Sequence, residues 1–129
     1  MRSVARECVF KYIFSKLFNS DDEGLFDVLI KDLSNDDKNF ARKLLISVTS
    51  NQDKYLDKIS ELSFGYKLER VFNTDKCAIL IGMAELDNFP ETPVSVVIDE
   101  AVKLSAIYST ERSTDFVNGI LAEFLKEMN

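Results

Sequence analysis

The amino-acid sequence predicts an all-α fold, about seven helices in a single domain spanning residues 1–129. Three observations carry the prediction. Apolar residues recur three and four positions apart in nearly every segment, the spacing that gathers them on one helix face. Only four glycines and two prolines punctuate the chain, too few for a fold of many short strands and turns. The 129 residues are 46% hydrophobic and include ten phenylalanines, enough apolar volume for one packed core.

The elements follow in order. Val4, Cys8, Ile13 and Leu17, thickened by Phe10, Phe14 and Phe18, predict a first helix from about Ser3 to Phe18. Asn19 to Glu23 reads as a turn, and Leu25, Phe26, Leu29, Ile30 and Leu33 describe a shorter second helix. Asp36 or Asp37 is expected to cap a third, carrying Phe40, Leu44, Leu45 and Val48. Tyr55, Leu56, Ile59 and Leu62 mark a fourth before a break at Phe64-Gly65. A short amphipathic piece, Tyr66 to Phe72, ends at Asn73-Thr74, and the next helix carries Ile79, Leu80, Met83 and Leu86. Asn88-Phe89-Pro90-Glu91-Thr92-Pro93 must separate two helices, because proline removes a donor and restrains its predecessor. Val97, Ala101, Leu104 and Tyr108 share one face of the following helix. Ser113 or Thr114 then caps a last helix with Phe116, Val117, Ile120, Leu121, Phe124 and Leu125 on its apolar stripe.

Composition excludes much chemistry. There is no histidine, hence no Ser-His-Asp triad, no Cys-His pair and no imidazole metal ligand. The glycines at 24, 65, 82 and 119 form no phosphate loop. Asp21-Asp22-Glu23 and Asp36-Asp37 lie beside Asn and Ser, where solvated turns and helix caps account for them. The reading is therefore a non-enzyme with no metal and no cofactor. Cys8 and Cys77 are isolated within apolar helical patterns and read as buried, reduced thiols. No apolar run reaches membrane-span length and Met1-Arg2-Ser3 opens no signal peptide, so a cytoplasmic location and no membrane contact are expected.

The net charge of −6 argues against indiscriminate nucleic-acid binding. Yet residues 1–16 carry Arg2, Arg6, Lys11 and Lys16 against one acid, Glu7. Arg2 and Arg6 are four apart, so both project from one side of the first helix near its positive end, which favours phosphate. A solvated face, with Arg6 paired to a carboxylate, is the alternative from the residues alone. The joint Ser109-Thr110-Glu111-Arg112-Ser113-Thr114 supplies hydroxyls, one arginine and a helix start, groups that suit single-stranded RNA. An ordinary capping loop is the alternative there. Phe116 falls on the apolar stripe and reads as core. Gly119 within a helix costs about 1 kcal/mol against alanine unless a close helix contact repays it, so packing is its expected use.

The chain also carries a set of ordered motifs. Ile98-Asp99-Glu100-Ala101-Val102, a gap, then Phe116-Val117-Asn118-Gly119-Ile120-Leu121 resembles the C-terminal signature of the NusB family of bacterial transcription antitermination factors. Ala5-Arg6-Glu7-Cys8 resembles the family's first-helix start. Asp37, Phe40 and Leu44, with Val48, Asn51, Leu56 and Ile59, are similar to its middle. Tyr66-x-Leu68-x-Arg70-Val71, then Ile79-Leu80 and Ala84-Glu85-Leu86, complete a resemblance over roughly residues 5–125.

The resemblance implies an all-helical fold of two small packed bundles. It also implies a single RNA-binding domain that holds boxA-type single-stranded RNA together with NusE, a small-subunit ribosomal protein, within the RNA polymerase antitermination complex that transcribes ribosomal operons. Arg2, Arg6, Lys16, Arg112, Ser113 and Thr114 would then form one small RNA site joining the first helix to the last joint. Phe14 would meet NusE through its aromatic ring and Asp75 through its carboxylate. Core packing is the alternative for Phe14, and stabilisation of its own helix for Asp75. Asp99 replaces the family's usual asparagine, only Arg2 precedes Ala5, Ser105-Ala106 replaces an Ala-Lys pair, and Leu80-Ile81 a Leu-Arg pair. The lost basic positions imply low RNA affinity without NusE. The free protein is expected as a monomer or homodimer. The rival readings are the related helical module found ahead of cytosine-5 RNA methyltransferase domains, against which a chain from Met1 to Asn129 with no catalytic portion is expected to count, and a protein-interaction domain that has lost RNA binding.

Overall fold

The computed structural model describes residues 2–17, 24–63 and 70–128. Among them are seven helices and no strand: α1 (Arg2–Leu17), α2 (Leu25–Ile30), α3 (Asn35–Ser50), α4 (Gln52–Leu62), α5 (Asn73–Asn88), α6 (Val94–Tyr108) and α7 (Glu111–Met128). The end of the first helix at Phe18, the turn at 19–23, the break at Phe64-Gly65 and the opening of the piece from Tyr66 lie outside the described residues.

The fold is organised around α5. Asp75 and every residue from Cys77 to Leu86 are buried, and the helix touches α1, α3, α4, α6 and α7. A helix apolar on all sides has nowhere to lie but the middle of a core. Side chains such as Ile79, Ile81 and Met83, fully buried there, each contribute about 1.5–3 kcal/mol of transfer free energy. Two helix groups, α1 to α3 and α4 to α7, meet on this shared element. Cys8 and Cys77 are both buried and unpaired, and burial pushes the Cys77 thiol up to about 12, so it stays protonated and inert.

Helix directions follow from the long-range contacts. Arg6 of α1 pairs with Glu85 near the end of α5, while Ile13 and Leu17 line a small cavity with Leu80 and Cys77. These two helices are therefore antiparallel. Ser3 donates to Glu100, and the Phe10 ring stacks on Tyr108 at 4.7 Å, so α1 and α6 run parallel. Helices α5 and α7 are also parallel: Ser113 meets Asp75 and Leu121 meets Gly82. At Gly82 an added Cβ would lie 2.7 and 2.9 Å from the Leu121 methyls and 3.3 Å from the Ala101 Cβ. The missing side chain is what lets α6 and α7 close on α5. Gly119, by contrast, has nothing within 4 Å of such a Cβ and is exposed, so the packing role expected for it is corrected.

Two caps also differ from expectation. Helix α3 is capped by Ser34, whose Oγ accepts from the Asp37 amide at 3.1 Å; Asp36 and Asp37 are first-turn acids facing the positive helix end. Helix α7 starts at Glu111, and Thr110 Oγ1 accepts from the Ser113 amide at 3.3 Å. Ser113 and Thr114 are thus inside the helix. In both cases the hydroxyl three residues before the accepted amide has the geometry of an N-cap.

One buried ion pair ties the groups together. Arg6, 2% exposed, donates from Nε to Glu85 Oε1 at 2.7 Å and from Nη2 to Glu85 Oε2 at 2.6 Å. Its Nη1 lies 3.6 Å from Glu100, and its guanidinium sits over the Phe40 ring. The expectation that Arg6 offers its charge to RNA is corrected: α5 and α6 enclose it, and its donors are spent on the buried Glu85 and the half-buried Glu100. A second cluster links α3, α4 and α5. Tyr55 donates to Asp87 at 2.7 Å, and Asn88 donates to Ser47 Oγ at 2.6 Å and to the Tyr55 oxygen at 3.2 Å.

Candidate nucleic-acid interface

The end of the molecule where α5 and α7 both begin holds a groove of about 700 Å³. Its walls come from two short stretches of chain. Arg70, Val71, Phe72 and Asp75 lie before and within the first turn of α5, and Thr110, Glu111, Arg112, Ser113 and Phe116 open α7. Val71 is buried and anchors the first stretch, which leaves Phe72 58% exposed at the head of α5. Arg70 and Arg112 are exposed and Phe116 is half-buried, packed against the core while lining the groove. Two parallel helix starts turn their positive ends toward this region, which favours anions.

Under the groove lies a chain of hydroxyls ending on a carboxylate. Ser113 Oγ is 2.9 Å from Ser109 Oγ and 3.0 Å from Thr110 Oγ1, and it donates to Asp75 Oδ2 at 3.0 Å. The other oxygen, Asp75 Oδ1, is buried with no hydrogen-bond partner among the described residues. Burial raises the Asp75 carboxyl above the usual carboxylate range, while hydrogen bonds from Ser113 and Ser109 pull it back down.

The residues singled out in the sequence do not form one site. Arg112 is exposed on the groove. Ser113 lines it but is 4% exposed, its hydroxyl fully engaged with Asp75 and its neighbours. Thr114 turns its hydroxyl back onto the Glu111 carbonyl at 2.7 Å. Arg2 is exposed at the other end of α1, its guanidinium 4.4 Å from the Phe40 ring centre, and the Phe10–Tyr108 contact that leads to the joint lies about 12 Å further along the helix. Lys16 is about 21 Å along the axis from Arg2, exposed beside Tyr12 on the side facing α3 and α5. The single basic site expected from Arg2 to Arg112 is therefore corrected to cations dispersed around α1 and a groove that contains Arg112.

Asp75 is corrected as well: at 4% exposure it presents no carboxylate to a protein partner. Phe14 is half-buried, its ring parallel to Phe10 with centroids 6.2 Å apart. The groove residues that the pattern alone did not single out are Arg70 and Phe72. Their signal was the aromatic-Leu-Arg-Val stretch from Tyr66, where an arginine adjoins a phenylalanine just ahead of a helix.

The family model described as the NusB family matches residues 3–126. The transcription antitermination protein NusB of Clostridium botulinum is 28% identical over 131 aligned residues, covering 98% of each chain. That of Acetivibrio thermocellus is 30% identical and covers 97% of this chain and 88% of its own. Among solved structures, T. maritima NusB superposes with a TM-score of 0.90 at 30% identity, covering 98% of this chain and 92% of that one. A crystal structure of antitermination factors NusB and NusE in complex with dsRNA has the same fold, with a TM-score of 0.85 at 24% identity over 98% of this chain and 96% of that one. A family match across almost the whole length, joined to the fold shared with T. maritima NusB, places the protein: the chain belongs to the NusB family.

Proposed function

We propose that this protein is a non-catalytic transcription antitermination factor that holds boxA-type single-stranded RNA together with NusE, so that RNA polymerase passes termination signals in ribosomal operons. The observation that carries the RNA assignment is the groove at the start of α5 and α7. It combines exposed arginines, Arg70 and Arg112, with an exposed aromatic face, Phe72, and a hydroxyl network. Cations place a phosphate backbone, and an aromatic ring stacks an unpaired base, which is the chemistry of single-strand binding. The relatives named as antitermination proteins, and the capture of a NusB of the same fold with NusE and dsRNA, support the pairing of partners. No helix among the described residues is long and apolar enough to cross a membrane, in keeping with action in the cytoplasm, as a monomer or homodimer when free.

The NusE surface is assigned to the second half of α1. There the half-buried Phe14 and the exposed Leu17 give an apolar edge beside Lys11. An acidic body of net charge −6 speeds encounter with a basic ribosomal protein, while an aromatic anchor supplies more of the affinity. Light scattering of the two proteins together should give a one-to-one complex that binds boxA-like RNA more tightly than either protein alone. Phe14→Ala should weaken NusE binding by about 2 kcal/mol if the ring is the anchor. A folded variant that binds NusE as the parent does would remove Phe14 from the interface. A mixture that forms no complex and binds no RNA would contradict the reading.

A further inference from the structure

We propose that Asp75 and Ser113 are positioning residues for RNA: their buried hydrogen bond holds the two walls of the groove at the separation at which one strand engages both. The proposal rests on the RNA reading above and names what sets the geometry of that same site.

The walls come from distant parts of the chain. Arg70 and Phe72 stand just ahead of Asp75, in the first turn of α5, and Arg112 and Phe116 flank Ser113, in the first turn of α7. Ser113 Oγ donates to Asp75 Oδ2 at 3.0 Å across 38 residues of sequence. Both residues are 4% exposed, so the bond is shielded from competing water and strengthened by its surroundings. The Ser109 and Thr110 hydroxyls, 2.9 and 3.0 Å from Ser113 Oγ, hold it in place. About two turns further along the same helix pair, Leu121 packs against Gly82. That contact sets the approach of α5 and α7 within the core, and the Asp75–Ser113 bond sets it at the open end. The carboxylate is spent on this link, so it acts on a bound strand only through the residues beside it.

Fixed walls matter because each offers little alone. Phe72, 58% exposed, presents one face for a base, and Arg70 and Arg112 present one cation each. A strand already seated on one wall meets the other as an intramolecular contact. The strength of that second contact falls as the spacing of the walls spreads. Walls ordered before RNA arrives also spare the complex the entropy of ordering them. Cutting the link therefore weakens RNA binding while leaving Phe72, Arg70 and Arg112 in the chain.

The test is fluorescence anisotropy of a labelled boxA-like single strand with the full chain and NusE, on variants that melting curves show to be folded at the assay temperature. Ser113→Ala removes the link and should weaken binding about fivefold to tenfold. Asp75→Ala should do the same, and Asp75→Ala/Ser113→Ala no more than either, because the pair acts as one unit. Asp75→Asn keeps an acceptor for the Ser113 hydroxyl and should rescue binding to within about twofold of the parent. The decisive arm crosses the groove. Phe72→Ala should cost about tenfold in the parent, the size of one stacked base. In Ser113→Ala it should cost under about threefold, because the first wall is no longer held against the second. A hydrogen bond that merely stabilised the fold would leave the Phe72 effect equally large in both. Parent-like binding by Ser113→Ala, or an undiminished Phe72 effect, overturns the positioning role and leaves the RNA reading standing. No binding by the parent in the presence of NusE overturns both. Should Ser113→Ala not fold, Asp75→Ala/Ser113→Ala, which leaves no buried carboxylate behind, carries the same comparison.

Discussion

Two arginines of one helix meet different environments, and their fates separate what sequence spacing shows from what it hides. Arg2 and Arg6 share a helix side, as their four-residue spacing requires, yet one is exposed and the other is 2% exposed. The difference lies in Glu85, whose carboxylate arrives from 79 residues away. Arg6→Ala should therefore cost about 3–5 kcal/mol of stability, because Glu85 would be left buried and unpaired; chemical denaturation measures it, and a loss below about 1 kcal/mol would mean the pair is hydrated. Asp75 makes the opposite prediction. Burial raises its folded-state pKa, so the folded protein holds the proton more tightly than the unfolded chain does. Its contribution is complete below the unfolded value of about 3.8 and is lost as pH rises through the folded value. Asp75→Asn should then match the parent's stability in acid and exceed it at neutral pH, a comparison that thermal melts at the two pH values make directly. Neither burial was legible from the sequence, since both depend on partners brought by tertiary packing.

At the scale of elements, the helices themselves were legible, because apolar spacing of three and four marks each of them. The helix starts were misplaced for a local reason: Ser34 and Thr110 are the caps, each three residues ahead of the amide it accepts from, and several polar neighbours competed for that role. Glycine gave the other error. Gly119 and Gly82 look alike in a helical pattern, but only Gly82 abuts Leu121 and Ala101. Gly82→Ala forces a methyl into the α5–α6–α7 junction. Leu121, itself fully buried, has little room to yield, so a net destabilisation of about 1–2 kcal/mol is expected after the helix-propensity gain. Gly119→Ala meets nothing and should stabilise by about 0.5–1 kcal/mol. Melting temperatures should move a few degrees in opposite directions, and a Gly82→Ala protein as stable as the parent would show that the junction is looser than the distances imply.

For the whole molecule, the fold class was readable from composition and periodicity, and the family from the order of its motifs. The site was readable only in part. The joint before α7, singled out in the sequence, lines the groove, but the second wall, Arg70 and Phe72, lies 40 residues earlier and meets it only because α5 and α7 start side by side. A chain of net charge −6 with a groove holding Arg70 and Arg112 cannot bind RNA by bulk attraction; it must bind weakly, locally and with few phosphates. The most direct test is the salt dependence of affinity for a boxA-like single strand in the presence of NusE, compared across Arg112→Ala, Arg2→Ala and the parent. About two phosphates neutralised by this protein on a single strand contribute roughly −1.4 to the slope of log affinity against log salt. Arg112→Ala should flatten the slope by about 0.7, whereas Arg2→Ala, at the far end of α1, should leave it unchanged. A slope that responds to Arg2 and ignores Arg112 would place the RNA along the first helix and contradict the groove.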